Sequence, residues 1–509
     1  VLWLVLIGAM AFALRFWQLS AAPIWMDEAY TYLASQLPLR TILFGAIDFH
    51  PPLYYAIQHV WMLFDPSLAA LRVPAAFLGG LAVIVVALAT ADLASRRAGL
   101  AAGAFLALST GHVYFSQDAR MYPQLTLGLA LAVWGLVGLA DGRLRRWRYA
   151  ALYLAGASIA VYSQAIALAF LFAVNACACA VIAARPGARP LLIRVVLANF
   201  VLGIISLPQL YCFRESAGTF RGMRAHTIGE VPWFLENMVG FPGLPHPVGK
   251  IVTCLLLAFV CAGTAAAWRT RLRLFAVVSF GGLALYPLVI LAANHLAPMI
   301  ENRIFIPCTL CLAILFGVSA SLVRMPALRI LAVAAATALL AISTVREHQV
   351  RTKPEDDRAA LALADRYGFQ QAPILTCQGP PGTTAYLSAP GRQVFFMIGE
   401  SPEPMDGRFS RAIGMGIVER YHADARRLES VLGVPEGATG ALAILAAARK
   451  VIVLDAGCNS TDREVSLLRR LGFEQIANPP IRVGDAPVVF QSLWTQLRLW
   501  QRPPNPAGS

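Results

Sequence analysis

Residues 69–97 read AALRVPAAFLGGLAVIVVALATADLASRR, an apolar run over 69–93 that stops at Ser95-Arg96-Arg97. A bilayer core about 30 Å thick is crossed by roughly 20 apolar residues in helical form. This run is long enough to span, and a helix satisfies its own backbone hydrogen bonds where water is absent. The paired arginines mark a side, because basic residues in short connectors collect on the cytoplasmic face.

Ten further runs flank it, near 1–16, 98–115, 123–140, 150–163, 165–184, 195–212, 248–267, 274–293, 304–322 and 328–345. Eleven spans can be checked by parity. Arg96 and Arg97, then Arg143, Arg145, Arg146 and Arg148, then Arg185, Arg189 and Arg194, then Arg269, Arg271 and Arg273, then Arg324 and Arg329 all fall on one side. That side reads as cytoplasmic. The opposite connectors are longer and carry the acids and histidines. The stretch PPLYYAIQHVWMLF at 51–64 is too short to cross, and counting it would place Arg96 and Arg97 on the wrong side. It reads as an amphipathic helix in the outer interface, within an outer loop at 18–68. The first run also fits a cleaved signal peptide ending near Ala21-Ala22, which would leave the sidedness unchanged.

Composition agrees. Of 509 residues, 58% are hydrophobic and only 14% charged, against about 25% charged in soluble domains. The net charge of +14 sits largely in the short connectors, which argues against a nucleic-acid partner. The nine cysteines follow no zinc spacing. Cys177, Cys179 and the pair Cys308 and Cys311 lie inside apolar runs, where a thiol behaves as a small hydrophobe.

The character changes after residue 345. Apolar β-rich stretches at 373–377, 393–396, 450–454 and 487–493 alternate with helical ones at 354–367, 417–432 and 462–471. Two domains follow: a membrane module at 1–345 and, at 346–509, a small α/β domain that parity places outside the cytoplasm. Cys377 and Cys458 end predicted strands there and are candidates for a disulfide in an oxidising compartment.

Four segments carry chemistry, all in outer connectors. Trp25-Met26-Asp27-Glu28-Ala29-Tyr30 sets two carboxylates among aromatics just past the first span; such acids also serve as ordinary helix-start residues. Asp48-Phe49-His50-Pro51-Pro52-Leu53-Tyr54-Tyr55 sets an acid and an imidazole before the interfacial helix, where Asp48 could simply cap it. Ser116-Gln117-Asp118-Ala119-Arg120-Met121-Tyr122-Pro123 places an acid and an arginine close to lipid, where they are costly unless paired or functional. Glu301-Asn302-Arg303-Ile304-Phe305-Ile306-Pro307 puts a guanidinium at the mouth of a span, fit for a phosphate or for snorkelling to headgroups. The outer loop at 213–247 adds Arg214, Arg221, Arg224 and His226. Taken together, acids, an imidazole and arginines on one face suit an anionic lipid-linked leaving group attacked by a hydroxyl or an amine. A transporter or flippase of lipid-linked sugars is the other class of reading, but transporters place such charges in broken helices near the midplane, with internal symmetry.

These four motifs, in this order and topology, resemble the polyprenyl-phosphate-dependent membrane glycosyltransferases of the GT-C superfamily. The branch they look most like is the protein O-mannosyltransferase and aminoarabinose-transferase group, glycosyltransferase family 39. The resemblance covers roughly residues 1–345, and an appended outer domain is usual there. It implies a polytopic α-helical membrane protein of GT-C type, with about eleven transmembrane helices and a C-terminal extracytoplasmic α/β domain, in a bacterial inner membrane. It implies an inverting transfer of sugar from a polyprenyl-phosphate donor to a protein, lipid or glycan acceptor. On that footing Asp27 is the general base and Glu28 orients it or the acceptor. Arg303, Arg120, Arg221 and Arg224 are the candidates for the donor phosphate. Asp48, His50, Tyr54, Gln117, Asp118, Tyr122 and Gln164 are candidates for substrate binding, with Asp118 positioning Arg120. No metal is required, since no nucleotide diphosphate needs neutralising; Asp48 and His50 leave a divalent cation open. The sequence departs from the family at Tyr162-Ser163-Gln164, where a histidine is common in place of Gln164, and at Arg303-Ile304-Phe305, which lacks the usual tyrosine.

Overall fold

In a computed structural model, the described residues are 2–216 and 228–350, apart from 45, 46, 49, 68, 142–145 and 296–299, followed by 353, 356–376, 384, 385, 387–389, 391–396, 438–456, 461–479 and 495–503. The chain divides into two compact units, Val1–Leu19 with Phe49–Gln349, and Ser20–Asp48 with Val350–Ser509.

The helices run in chain order as follows. The first span is α1 (Leu2–Phe16), and the outer loop after it forms α2 (Met26–Ala34), α3 (Leu39–Phe44) and α4 (Leu53–Met62). Next come α5 (Val73–Leu93), α6 (Arg96–Leu108), α7 (Thr110–Ser116), α8 (Tyr122–Asp141), α9 (Arg146–Val161), α10 (Ile166–Ala183) and α11 (Arg189–Ser216). After these stand α12 (Val231–Val239), α13 (Val248–Ala267), α14 (Arg273–Phe280), α15 (Tyr286–Ala293), α16 (Ile306–Leu322) and α17 (Pro326–Val350).

Each of the eleven apolar runs is helical. Among the described residues eight are long and apolar enough to cross a membrane, and nine if the bent pair α6 and α7 is one span. The other two, α1 and α9, have 15 and 16 residues and fall short on length. The run at 98–115 is not one straight helix: α6 and α7 meet at 61°. The run at 274–293 is interrupted by a π-helical turn, Gly281–Leu285, where a Cβ on Gly282 would stand 2.4 Å from the Cys311 sulfur. In the segments holding α8 and α16, 89% and 94% of the best apolar window is buried, so these helices form the centre of the bundle. In those of α11 and α17 only 22% and 17% is buried. Their exposed Val196, Leu197, Phe200, Ile330 and Leu331 are suited to lipid.

Two sets of polar side chains in the bundle satisfy one another, as a medium without water favours. Tyr153 on α9 donates to Asn199 on α11 at 2.8 Å, Asn199 donates to Asn175 on α10 at 2.9 Å, and Asn175 donates back to the Tyr153 hydroxyl at 2.9 Å. Asp92 at the end of α5 accepts from the Trp134 indole and the Tyr149 hydroxyl.

In the second unit, α18 (Asp357–Arg366), α19 (Ala438–Ala447) and α20 (Thr461–Arg470) accompany a sheet of β1 (Ile374–Thr376), β2 (Val394–Phe396), β3 (Lys450–Ala456), β4 (Glu474–Ala477) and β5 (Thr495–Gln501). The strand order is β2-β1-β3-β5-β4. β1 runs parallel to β2 and β3, and β5 antiparallel to β3 and β4. Leu375, Phe395, Val451, Val453, Leu468 and Trp500 form its core. The expected strands at 373–377, 393–396 and 450–454 coincide with β1, β2 and β3. The expected helix at 417–432, the strand at 487–493, and Cys377 and Cys458 lie outside the described residues.

Candidate functional site

Three of the four motifs meet within the membrane unit. Pro52 occupies the N-cap position of α4, with no side-chain cap. The Leu53 amide donates to the Tyr162 carbonyl at 3.2 Å, which seats the start of α4 against the outer end of α9. Tyr54 and Tyr55 are fully buried on the inner face of α4. Arg120 Nη1 donates to the Tyr55 hydroxyl at 3.1 Å, and its guanidinium carbon lies 5.9 Å from the Tyr55 ring centre. The connector that carries Arg120 turns tightly, with the Arg120 amide on the Asp118 carbonyl at 2.7 Å. Asp118 is fully buried, as is Tyr122, whose ring packs edge-on against Phe115 at 5.0 Å.

His50 is buried in the same region. Burial holds its imidazole well below the usual histidine range, and the positive charges of Arg120 and Arg303 push it further the same way. His50 therefore lies near enough to both Arg120 and Arg303 to feel their charges, although the three are far apart in sequence. A lowered pKa favours the neutral imidazole, which carries one N–H donor. A region so equipped favours an anion.

Arg303 sits in a single 3-10 turn, Asn302–Phe305, at the start of α16. The Tyr286 hydroxyl donates to the Ile304 carbonyl at 2.7 Å and fixes this turn. Arg303 pairs with Glu301 at 2.5 Å, both partly exposed. Asn302 and Gln164 are buried; neither the Asn302 amide nor the Gln164 Oε1 has a hydrogen-bond partner among the described residues. Gln117 donates its amide nitrogen to the Leu14, Arg15 and Trp17 carbonyls at 3.1, 3.2 and 3.1 Å, closing the end of α1.

Asp27, Glu28 and Asp48 belong to the second unit. Asp27 and Glu28 occupy the first turn of α2, where the helix dipole favours negative charge. Glu28 is fully buried and Asp27 half-buried. The Tyr30 hydroxyl donates to the Ile47 carbonyl at 2.9 Å, closing the loop that ends at Asp48. Arg358 donates to the Ala21 carbonyl at 2.7 Å, and Lys353 stands 6.0 Å from the Trp25 ring centre. The acidic motif is thus anchored on the segment that leads into α18. That segment starts its helix with Asp356, whose carboxylate accepts from the Ala359 amide at 2.9 Å. Burial raises the Asp356 carboxyl above its ordinary range.

Arg221 and Arg224 lie outside the described residues. No three His, Cys, Asp or Glu side chains among the described residues gather as a metal site. The sequence reading did not single out Tyr55 as the partner of Arg120, although it stands in the quoted motif. It also passed over Arg15 and His112, which look like a span flank and a lone histidine.

No family model matches the sequence, and no curated protein matches it. The fold is that of a polytopic helical membrane protein with an α/β domain, as the motifs lead one to expect. Its likeness is to ArnT from Cupriavidus metallidurans: the apo structure matches with TM-score 0.60 at 13% identity over 99% of both chains. The structure of that protein bound to undecaprenyl phosphate matches with TM-score 0.58 at 14% identity, again over 99% of both chains.

Proposed function

We propose that this chain is an inverting glycosyltransferase that moves a sugar from a polyprenyl-phosphate donor to an acceptor on the outer side of the membrane. The observation that carries the reading is that His50 feels the charges of both Arg120 and Arg303, residues of two other motifs. Two guanidinium groups and a neutral N–H donor suit a phosphate that gains charge as its bond to the sugar breaks. The fold likeness to a protein whose structure holds undecaprenyl phosphate supports the same donor class.

In this reading an acceptor hydroxyl or amine attacks the anomeric carbon as the bond from that carbon to the phosphate oxygen breaks. The acceptor proton passes to Asp27, and the electron pair leaves with the polyprenyl phosphate. Asp27 is half-buried, which suits a base open to an acceptor, and the buried Glu28 beside it suits a supporting role. A positioned base contributes about 10² to 10⁴-fold. Arg120 and Arg303 act mainly in the transition state, where the phosphate charge grows. Glu301 holds Arg303 until the phosphate takes its place. Asp48, Tyr54, Asp118, Tyr122 and Gln164 are assigned to sugar or acceptor contacts or to positioning. The parity of the spans supports an outer placement of the α/β domain.

The experiment is to incubate purified protein with a panel of labelled polyprenyl-phosphate sugars and an envelope lipid extract, and to look for free carrier. Release with one donor supports the reading. Movement of intact donor across vesicles without release would favour the flippase.

A further inference from the structure

The bent span carries a second polar cluster. The backbone at Ser109 is extended, so the chain leaves the helix between α6 and α7. Such a break withdraws the amides that would close the last turn of α6, and the bilayer offers no water in their place. Three carbonyls of this turn take side chains from other helices, and Leu106 also keeps the Ser109 amide at 3.3 Å. Arg15 on α1 donates to the Leu106 and Ala107 carbonyls at 3.3 and 3.2 Å. Thr344 on α17 donates to the Leu108 carbonyl at 2.8 Å.

Arg15 Nη2 also lies 2.7 Å from Nδ1 of His112 on α7. A guanidinium has no lone pair to offer, so Nδ1 accepts and the imidazole proton sits on Nε2. Ser116, one turn on, donates to the His112 carbonyl at 2.6 Å. The half-helix has little room to move: a Cβ on Gly79 of α5 would stand 2.3 Å from the Ser116 hydroxyl. Arg15 is fully buried, and no carboxylate is among its partners in the described residues. An unpaired buried charge is a costly way to join two helices, so a role beyond packing is called for.

Gln117 to Ala119 are all that separate the end of α7 from Arg120. Tyr55 holds the guanidinium end of Arg120, while its backbone end follows α7. We infer that Arg15 and His112 are positioning residues: by pinning the outer half-helix to α1 they set the angle at which Arg120 meets the donor phosphate. The inference rests on the reading of Arg120 as a phosphate ligand.

The test is the affinity of full-length purified protein for undecaprenyl phosphate, in wild type, His112→Phe, His112→Asn, Arg120→Ala and the double variant His112→Phe with Arg120→Ala. Phenylalanine keeps a ring and removes the acceptor, whereas asparagine restores an acceptor oxygen near Nδ1. The expected result is about ten-fold weaker binding in His112→Phe, recovery in His112→Asn, and no further effect of His112→Phe once Arg120 is alanine. Equal weakening in both backgrounds, or none in either, overturns the positioning role and leaves the glycosyltransferase reading standing. Wild-type protein that binds no polyprenyl phosphate removes that reading and the inference with it. Should His112→Phe fail to fold, Arg15→Lys takes its place in the same cycle, since an ammonium keeps the charge but cannot reach two carbonyls and the imidazole together.

Discussion

The Arg120 guanidinium rests on the Tyr55 hydroxyl at 3.1 Å, a contact between an outer connector and a helix 65 residues earlier. It fixes a long, rotamer-rich side chain, and if Arg120 holds the donor as proposed, less of its freedom is lost on binding. Tyr55→Phe keeps the ring and removes the acceptor. The donor KM should rise about five- to ten-fold, with kcat changed less. Steady-state kinetics with varied donor checks this, and an unchanged KM would remove Tyr55 from the account.

His50 gives a pH prediction. Its folded-state pKa lies below the ordinary histidine value, so the unfolded chain takes up the proton first as pH falls. Its contribution to stability is therefore complete above about pH 6.5 and is lost as pH falls toward the folded value. Wild-type protein in detergent should lose melting temperature between about pH 7 and pH 5, and His50→Gln should flatten part of that slope. An identical slope in the variant would mean that His50 titrates normally.

Arg303 is held by Glu301 at 2.5 Å. Removing the acid frees the guanidinium for phosphate, and Glu301→Gln should tighten polyprenyl-phosphate binding by about two- to five-fold, whereas Arg303→Ala weakens it. Equilibrium binding of both variants checks the pair. Weaker binding in Glu301→Gln would mean that the acid aids the site by orienting Arg303.

The ring of Tyr153, Asn175 and Asn199 ties three spans together. Asn199→Leu leaves two polar groups without their partner and should cost about 1 kcal/mol, with transfer activity retained. Thermal unfolding in detergent measures the first effect and the transfer assay the second.

Much of this architecture was legible in the sequence. Apolar length and arginine parity located eleven helices, because in a bilayer composition and hydrogen-bond closure leave few choices. The bend at Ser109 was not read from the sequence, since Ser109, Thr110 and His112 do not interrupt the apolar run at 98–115 enough to end a span, and the break is stabilised by Arg15 and Thr344 from distant helices. The motif residues His50, Arg120 and Arg303 could be named from charge at span ends. Their proximity could not, because it depends on how α4, α8 and α16 pack. In the second unit β1 and β3 stood out as apolar runs, whereas β4 (Glu474–Ala477) is a short, mostly exposed strand without an apolar pattern.

The central claim is that Asp27 is the proton acceptor in sugar transfer. The most direct measurement is single-turnover transfer by Asp27→Asn, with a polyprenyl-phosphate sugar that wild-type protein uses and with insertion and donor binding verified. The account predicts a loss of about 10² to 10⁴-fold with donor affinity retained. Turnover close to wild type would contradict it.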